Sequence, residues 1–231
     1  MGFSLFGAAH FVTLGLIATV AVGAARRARD DLGFRERGRH VVATALFVAG
    51  VGFVVIERVV GTSWSYVAPL HLCDLSVFVG SFALWRRHHR AAEVCYFWGL
   101  AGAVPALLTP DLQEGFPHFR FLFYFAQHGL IVVAAAFVSG GLGLAPRPRS
   151  WLAAWGWLQG AGLLVAGIDL GTGTNFLYLR APPPSPTPVD WFGPWPYYVV
   201  VVDLLGLLLF YLLAWPWRAR ERAAPGPSPA N

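Results

Sequence analysis

Residues 120–138, with the sequence RFLFYFAQHGLIVVAAAFV, form a nearly unbroken apolar stretch that begins at Arg120 and carries His128 near its middle. A helix needs about 20 predominantly apolar residues to cross the hydrocarbon core of a bilayer. This stretch therefore predicts a membrane-spanning helix. Six further stretches of similar character are the ranges 8–25, 41–58, 67–85, 91–108, 151–170 and 197–215.

The composition of the 231 residues agrees with seven such helices. Hydrophobic residues make up 56% of the chain and charged residues 13%, whereas soluble domains average roughly 25% charged residues. Seven spans of about 20 residues occupy roughly 140 positions, which leaves little chain for a soluble domain. We expect an all-α, polytopic membrane protein, with a seven-helix transmembrane domain over residues 1–215 and a disordered cytoplasmic tail over 216–231.

All 17 basic residues are arginines, and the chain has no lysine. Fourteen of them lie in alternate connections, which are the ranges 26–40, 86–90 and 139–150 and the C-terminal tail. The positive-inside rule then predicts an N-terminus outside the cell and a C-terminus in the cytoplasm. A basic nucleic-acid surface would not alternate with apolar stretches, so no nucleic-acid partner is expected. The missing lysine excludes a retinal Schiff base and a P-loop.

Ionisable residues are costly inside a membrane, and they are functional candidates by default. With this topology most of them fall in the outer half of the spans, and they are His10, Glu57, His71, Cys73, Asp74, His128, Asp169 and Asp203. We therefore predict one polar cavity that opens toward the outside and is built from several helices. The alternative is a set of separate hydrogen bonds that hold neighbouring helices together.

Four residues are predicted to bind a substrate at this cavity, and they are His10, Asn175, Tyr178 and Asp203. Asn175 and Tyr178 follow the sixth stretch and would line the mouth of the cavity. Asp203 lies within the seventh stretch, where an unpaired carboxylate is costly. Its expected partner is Arg58, Arg120 or a histidine.

The segment PLHLCD, residues 69–74, holds the densest pattern of reactive groups. On a helix His71 and Asp74 lie about 60° apart, so the carboxylate can fix the tautomer of the imidazole. Cys73 lies on a different face. If Cys73 is a nucleophile, its base comes from another helix, and His128 lies at a compatible depth. The structural alternatives are a small buried thiol, a hydrogen-bonded His71–Asp74 pair, and a His128 satisfied by a neighbouring helix.

Metal binding has little support in the sequence. Three histidines with Asp74 supply ligand types, but no HxxxH or HxxE spacing groups them. We expect no metal and no other cofactor. Cys73 and Cys95 fall near opposite ends of neighbouring stretches, so we expect no disulfide between them.

Four features in order resemble the YwaF family of bacterial integral membrane proteins. They are PLHLCD at 69–74, the single histidine of the fifth stretch, NFLYL at 175–179 and GPWPYY at 193–198, and the match runs from about Phe47 to Tyr211. This family is in turn similar to a vertebrate TMEM-type membrane protein described as a phospholipid acyltransferase, itself related to the androgen-induced fatty-acid-ester hydrolases. The resemblance implies a multi-pass protein of the bacterial cytoplasmic membrane whose partners are membrane lipids.

In those enzymes a cysteine or threonine nucleophile on one helix works with a histidine on a later helix. The resemblance implies that Cys73 takes an acyl group and that His128 is its general base. His71 with Asp74 would then position or polarise the carbonyl. Two function classes stay open: an intramembrane acyltransferase or ester hydrolase that uses these four residues, and a non-catalytic protein that binds or transports a lipid or solute.

Overall fold

The computed structural model describes residues 2–184 and 187–223, with side chains to residue 219. The described chain is helical and holds no β-strand, only an isolated bridge between Gly2 and Glu114. The α-helices are α1 (Ala8–Asp30), α2 (Leu32–Val59), α3 (Trp64–Val67), α4 (Leu72–Arg86), α5 (His89–Trp98), α6 (Val104–Leu108), α7 (Phe119–Ala136), α8 (Ser150–Thr172) and α9 (Tyr197–Ala223). A π-helical turn at Gly99–Ala103 joins α5 to α6, and another at Phe137–Gly141 extends α7.

Six helical segments among the described residues are long and apolar enough to cross a membrane. They are Ala8–Asp30, Leu32–Val59, His89–Leu108, Phe119–Gly141, Ser150–Thr172 and Tyr197–Ala219. Six of the seven predicted spans match these segments. The stretch 67–85 differs, because the chain there forms α4, which has only 15 residues. At 1.5 Å per residue, α4 is about 22 Å long.

The segments differ in how deeply they lie within the bundle. In the most apolar part of His89–Leu108 and of Phe119–Gly141, 56% of the residues are buried, against 11% in α8 and 17% in α1 and α9. One core cluster joins Leu46, Val77 and Ile131, from α2, α4 and α7. A second cluster joins α5 to α8 and α9 and includes Phe97 and Phe210. The interrupted helix α5–α6 and α7 are therefore the central elements.

Small residues let these helices approach closely. A Cβ added to Gly50 of α2 would lie 2.8 Å from Val77 Cγ1 on α4, and one added to Gly141 would lie 2.9 Å from Ala28 Cβ on α1. Membrane helices pack through such small residues, because lipid supplies no hydrophobic drive toward helix association. The two glycines thus set the distances of α4 and α1 from their neighbours.

The connections that carry most arginines gather at one end of the bundle, which we call the arginine end. The Arg29 Nε donates to the carbonyl of Gly140 at 3.3 Å, and the Arg39 guanidinium donates to the carbonyl of Trp85 at 2.8 Å. The Arg87 guanidinium lies 3.0 Å from the Glu36 carboxylate. These bonds join the three connections that the sequence placed on one side.

The other connections gather at the opposite end, which we call the histidine end. There the Phe3 amide donates to the Gln113 carbonyl at 2.7 Å. Arg120 at the start of α7 pairs with buried Glu57 of α2, with 3.3 Å between Nε and Oε1. Each long helix therefore runs from one end of the bundle to the other.

The connection between α1 and α2 is more helical than the sequence predicted. The expected loop 26–40 reduces to Asp31, whose carboxylate accepts from the Phe34 amide at 2.9 Å and caps α2. The Arg35 Nε donates to the carbonyl of Ala28 at 2.6 Å and satisfies the end of α1. Arginine favours helices, and aspartate is a strong N-cap, so both helices extend to this point.

The C-terminal tail also differs from the expectation in its first half. Helix α9 continues through Pro216 to Ala223, so residues 216–223 are helical rather than disordered. The guanidinium of Arg218 lies 5.1 Å from the ring centroid of Tyr211, one to two turns earlier on the same helix. Residues 224–231 lie outside the described residues.

Candidate active site

His71 is the N-cap residue of α4, and its imidazole faces the segment that follows α8. The Nδ1 atom accepts a hydrogen bond from the backbone amide of Leu177 at 3.3 Å. A neutral imidazole that accepts at Nδ1 carries its proton on Nε2. The ring packs against Phe176 and Tyr178, with centroid separations of 5.5 and 5.2 Å. Neutral His71 therefore presents an Nε2–H donor.

Asp74 lies in the first turn of α4 and connects this helix to α7. Its Oδ1 accepts from Gln127 Nε2 at 2.9 Å, and its Oδ2 accepts from the backbone amide of His71 at 3.3 Å. The sequence predicted that this carboxylate fixes the His71 imidazole. The structure pairs it with the His71 peptide N–H instead, because a carboxylate at the third helical position reaches the unsatisfied amide of the N-cap.

Asp169, in the last turn of α8, is fully buried and holds the following segment in place. Its Oδ1 accepts from the Thr174 hydroxyl at 2.6 Å and from the Phe176 amide at 3.0 Å. Its Oδ2 is buried without a hydrogen-bond partner in the described part of the chain. Asp169 lies within electrostatic range of His71. A buried carboxylate oxygen thus stays available for a further polar partner beside His71.

The segment after α8 crosses the histidine end in a strained conformation. Leu177 and Tyr178 have φ values of 56° and 54°, and a non-glycine residue in this region costs of order 1–3 kcal/mol. Two hydrogen bonds offset this conformational cost. The Leu177 backbone amide donates to His71 Nδ1, and the Tyr198 hydroxyl donates to the Tyr178 carbonyl. The fold therefore holds this segment firmly against α4.

Tyr178 brings its phenol close to a carboxylate from the connection between α6 and α7. The hydroxyl lies 3.5 Å from Asp111 Oδ2. Burial, and then the negative charge of Asp111, raise the pKa of the Tyr178 phenol to about 12. Tyr178 also lies within electrostatic range of Cys73 and Asp74. The phenol therefore stays protonated at neutral pH and is a hydrogen-bond donor at this site.

Cys73 is half-buried at the start of α4, and it packs against the core cluster around Ile131. Tyr124 of α7 lies within electrostatic range of Cys73, and its hydroxyl donates to the Ala106 carbonyl at 2.9 Å. Cys95 is buried in the same cluster, and both cysteines are free thiols. Cys73 is thus the thiol that borders the polar residues of α7.

His128 lies one turn after Tyr124 on α7, and its ring stacks on the phenol ring with 4.2 Å between centroids. Its Nδ1 lies 2.8 Å from the Tyr124 carbonyl oxygen, which can only accept, so Nδ1 carries the proton. The Nε2 lone pair then remains available. No hydrogen bond joins His128 to Cys73 in the described chain. Tyr124 stacks on His128 and lies within electrostatic range of Cys73.

Three predicted binding residues make structural contacts instead. His10 is buried, with its Nε2 2.8 Å from the Leu107 carbonyl and its Nδ1 accepting from the Phe6 amide. The Asn175 side chain bonds the backbone of Arg180 and Ala181, and so closes its own loop. Of the four predicted binding residues, only Tyr178 therefore lies among the polar groups around His71.

Asp203 also differs from its expected pairing. Its Oδ1 accepts from Trp155 Nε1 at 3.1 Å and from Gln159 Nε2 at 2.7 Å, both on α8. The sequence predicted Arg58, Arg120 or a histidine. Asp203 faces α8, whose neutral donors satisfy the carboxylate, while Arg120 pairs with Glu57. Asp203 thus joins α8 to α9.

Sequence reasoning missed Asp111, Tyr124 and Gln127, and it did not assign Asp169 to the site. Tyr124 and Gln127 precede His128 by one turn or less, so their position on α7 was a usable signal. Asp111 and Asp169 gave no such signal, because their contacts depend on two connections that fold over the helix ends. Within the described residues, no group of three histidine, cysteine or acidic side chains is arranged to hold a metal ion.

Comparison with known proteins gives one match. The model of the TMEM164 family matches residues 5–214, which covers nearly the whole chain. No curated protein matches the chain, and no solved structure does.

Proposed function

The chain belongs to the TMEM164 family, and from this premise we propose that it is an intramembrane acyltransferase or ester hydrolase with Cys73 as its nucleophile. The family match and the six apolar helices make it a multi-pass membrane protein. Its substrate would be an acyl ester of a membrane lipid. The proposed catalytic residues are Cys73, His128 and His71, with Asp74 as the residue that positions them, and Tyr178 would contact the substrate.

The observation that supports this proposal is the tautomer of His128 on α7, a helix that packs against α4, which carries the Cys73 thiol. The proton on Nδ1 is bound by the Tyr124 carbonyl at 2.8 Å, which leaves the Nε2 lone pair to accept a proton. The Tyr124 ring stacks on His128, and Tyr124 lies within electrostatic range of Cys73. The reaction requires the thiol and Nε2 to meet when substrate binds, and catalytic hydrogen bonds often tighten only in that complex.

The proposed reaction has two steps. His128 Nε2 takes the thiol proton, and the Cys73 sulfur attacks the ester carbonyl carbon. The ester C–O bond then breaks, and the leaving alkoxide takes the proton from Nε2, which leaves an acyl thioester on Cys73. In the second step Nε2 takes a proton from a lysolipid hydroxyl or from water. That oxygen displaces the sulfur, and Nε2 returns the proton to the thiolate.

His71 would assist as a donor to the carbonyl oxygen. Its Nε2–H is fixed by the Leu177 amide at Nδ1, and a donor already aimed at the oxygen stabilises the developing negative charge. Asp74 supports this geometry through the His71 backbone and through Gln127. The carboxylate is a positioning residue in this proposal, because it does not contact the imidazole itself.

A thioester trap tests the proposal directly. Purified protein in lipid nanodiscs is incubated with a radiolabelled acyl phospholipid, and acyl label on the protein is measured with and without neutral hydroxylamine, which cleaves thioesters. We expect hydroxylamine-labile label on wild type and none on Cys73→Ala. The turnover rate should fall at least about 10³-fold in Cys73→Ala and about 10²- to 10⁴-fold in His128→Ala.

Cys95→Ala is the matched control, because Cys95 is the other free thiol and lies in the core cluster away from the polar residues. This variant should keep wild-type labelling and turnover. Wild-type turnover by Cys73→Ala, in protein with an unchanged unfolding temperature, would rule out the proposed chemistry.

A second candidate function is binding or transport of a lipid or solute without catalysis. The observation that favours it is the lack of a Cys73–His128 hydrogen bond, together with the structural contacts of Asp74 and of His71 Nδ1. In that case lipid would bind wild type and Cys73→Ala equally, and neither protein would form a thioester.

We also propose the topology that the arginines predict, with the histidine end outside the cell and the arginine end in the cytoplasm. In this topology α4 is a seventh crossing, which begins beside Leu177 and ends beside Glu36. Its length of about 22 Å is short of the ~30 Å hydrocarbon core, but the preceding residues 64–71 lie at the membrane surface in this arrangement. Membership of the YwaF branch and a bacterial cytoplasmic membrane stay predictions from the sequence.

A further inference from the structure

Two adjoining cavities lie at the arginine end, the larger formed by residues of the range 147–153 and the smaller between α5 and α8. Their volumes are about 570 and 250 Å³. Both are lined by Arg147, Ser150 and Ala153, and the larger also by Arg149. The smaller extends to Arg90 at the start of α5. This end of the bundle is opposite to the residues proposed for catalysis.

The charges around these cavities are not balanced. The Arg147 guanidinium is neutralised by buried Glu93, to which it donates hydrogen bonds at 2.8 and 2.7 Å. Arg90 and Arg149 have neither an ion-pair nor a side-chain hydrogen-bond partner within the described part of the chain. Six other arginines of this end form such bonds, and they are Arg29, Arg35, Arg37, Arg39, Arg87 and Arg147. Two guanidinium groups therefore remain free to bind an anion.

The start of α8 adds to the positive potential. This helix of 23 residues begins at Ser150, and no side chain caps it. The N-terminus of a helix carries roughly half a positive charge and exposes backbone N–H groups. Phosphate groups are therefore favoured ligands at such an end. With Arg90 and Arg149, this terminus makes the electrostatic potential at the cavities positive, which favours an anion.

The surface next to the cavities is apolar and faces outward. Trp157, which lines the smaller cavity, is 64% exposed, and Leu164, two turns further on the same face of α8, is 67% exposed. Tryptophan is enriched where a membrane helix meets the interface. An occupant with a phosphate in the cavity would have its acyl chains along Trp157 and Leu164.

We propose that these cavities bind the phosphate group of an anionic phospholipid. Arg90 and Arg149 would hold the phosphate, the positive end of α8 would attract it, and Trp157 would contact the glycerol and the upper acyl chain. Basic pockets between membrane helices bind anionic headgroups in this way. The site is separate from the proposed catalytic residues.

The test is lipid binding by the full-length protein in detergent micelles, measured by native mass spectrometry. Phosphatidylglycerol, phosphatidylcholine and inorganic phosphate are titrated separately. The double variant Arg90→Gln, Arg149→Gln should bind phosphatidylglycerol about thirtyfold more weakly, because each arginine near a surface contributes roughly a fivefold preference for anionic lipid. Binding of phosphatidylcholine should be weak in both proteins and unchanged between them.

Arg26→Gln is the matched control, since Arg26 is exposed at the same end and does not line either cavity. An equal loss of phosphatidylglycerol binding in Arg26→Gln, or no loss of binding in the double variant, would contradict the proposed site. Inorganic phosphate that binds as tightly as the lipid would overturn the lipid assignment. Cys73→Ala should bind phosphatidylglycerol as wild type does, so failure of the catalytic proposal leaves this one intact.

Discussion

The buried carboxylate of Asp169 shows how one residue organises a segment of the histidine end. One oxygen accepts two hydrogen bonds from the loop after α8, and the other is buried without a hydrogen-bond partner in the described part of the chain. The Phe176 amide lies inside the protein and depends on Asp169 for its hydrogen bond. The position of the loop, and with it the Leu177 contact to His71, therefore depends on this side chain.

Two substitutions of Asp169 distinguish the effect of its hydrogen bonds from the effect of its charge. Asp169→Ala leaves the Phe176 amide buried without an acceptor, so we expect a loss of about 1–3 kcal/mol in the free energy of unfolding. Asp169→Asn keeps an accepting oxygen and should lose less. Thermal unfolding in detergent measures both. If Asp169→Ala unfolds at the wild-type temperature, the carboxylate does not hold the loop.

At the scale of elements, the sharp connection between α1 and α2 depends on Asp31. Its carboxylate accepts from the Phe34 amide, and this bond lowers the pKa of Asp31 below its ordinary value. Because the pKa of Asp31 is lower in the folded chain than in the unfolded chain, the ionised carboxylate stabilises the fold at pH values above the unfolded-state pKa. That contribution is lost as the pH falls through the folded pKa.

Asp31→Ala should therefore lower the unfolding temperature at pH 7, and the difference from wild type should shrink as the pH falls through the lowered pKa of Asp31. Asp31→Asn is the matched variant, because asparagine caps a helix as well as aspartate does and does not titrate. It should keep the stability at pH 7. Unfolding temperatures measured between pH 3 and pH 7 provide the test, and a pH-independent difference for Asp31→Ala would contradict the capping role.

For the whole molecule, the topology makes a prediction about α4. Ser65 precedes this helix and Arg86 ends it, and both are exposed. In a Cys73→Ala, Cys95→Ala background, a membrane-impermeant maleimide should label Ser65→Cys in intact cells. It should label Arg86→Cys only after the membrane is opened. Labelling of both positions from the same side would mean that α4 does not cross the membrane.

The sequence predicts the long helices well and their contacts less well. An apolar run of about 20 residues has one stable form in lipid, so the spans follow from composition alone. The partners of Asp203 do not follow from composition, because Trp155 and Gln159 contact Asp203 only after α8 packs on α9. Likewise, the sequence predicted a substrate-binding role for His10, and it could not show that two backbone groups bond to its ring.

The backbone contacts of the two site histidines also set the direction in which protons can move. The amide of Leu177 makes His71 a donor toward the site, and the carbonyl of Tyr124 makes His128 an acceptor. Main-chain groups keep their polarity whatever side chain they carry. In the proposed reaction, substitutions of the surrounding side chains could therefore change the shape of the site while His71 stays a hydrogen-bond donor and His128 an acceptor.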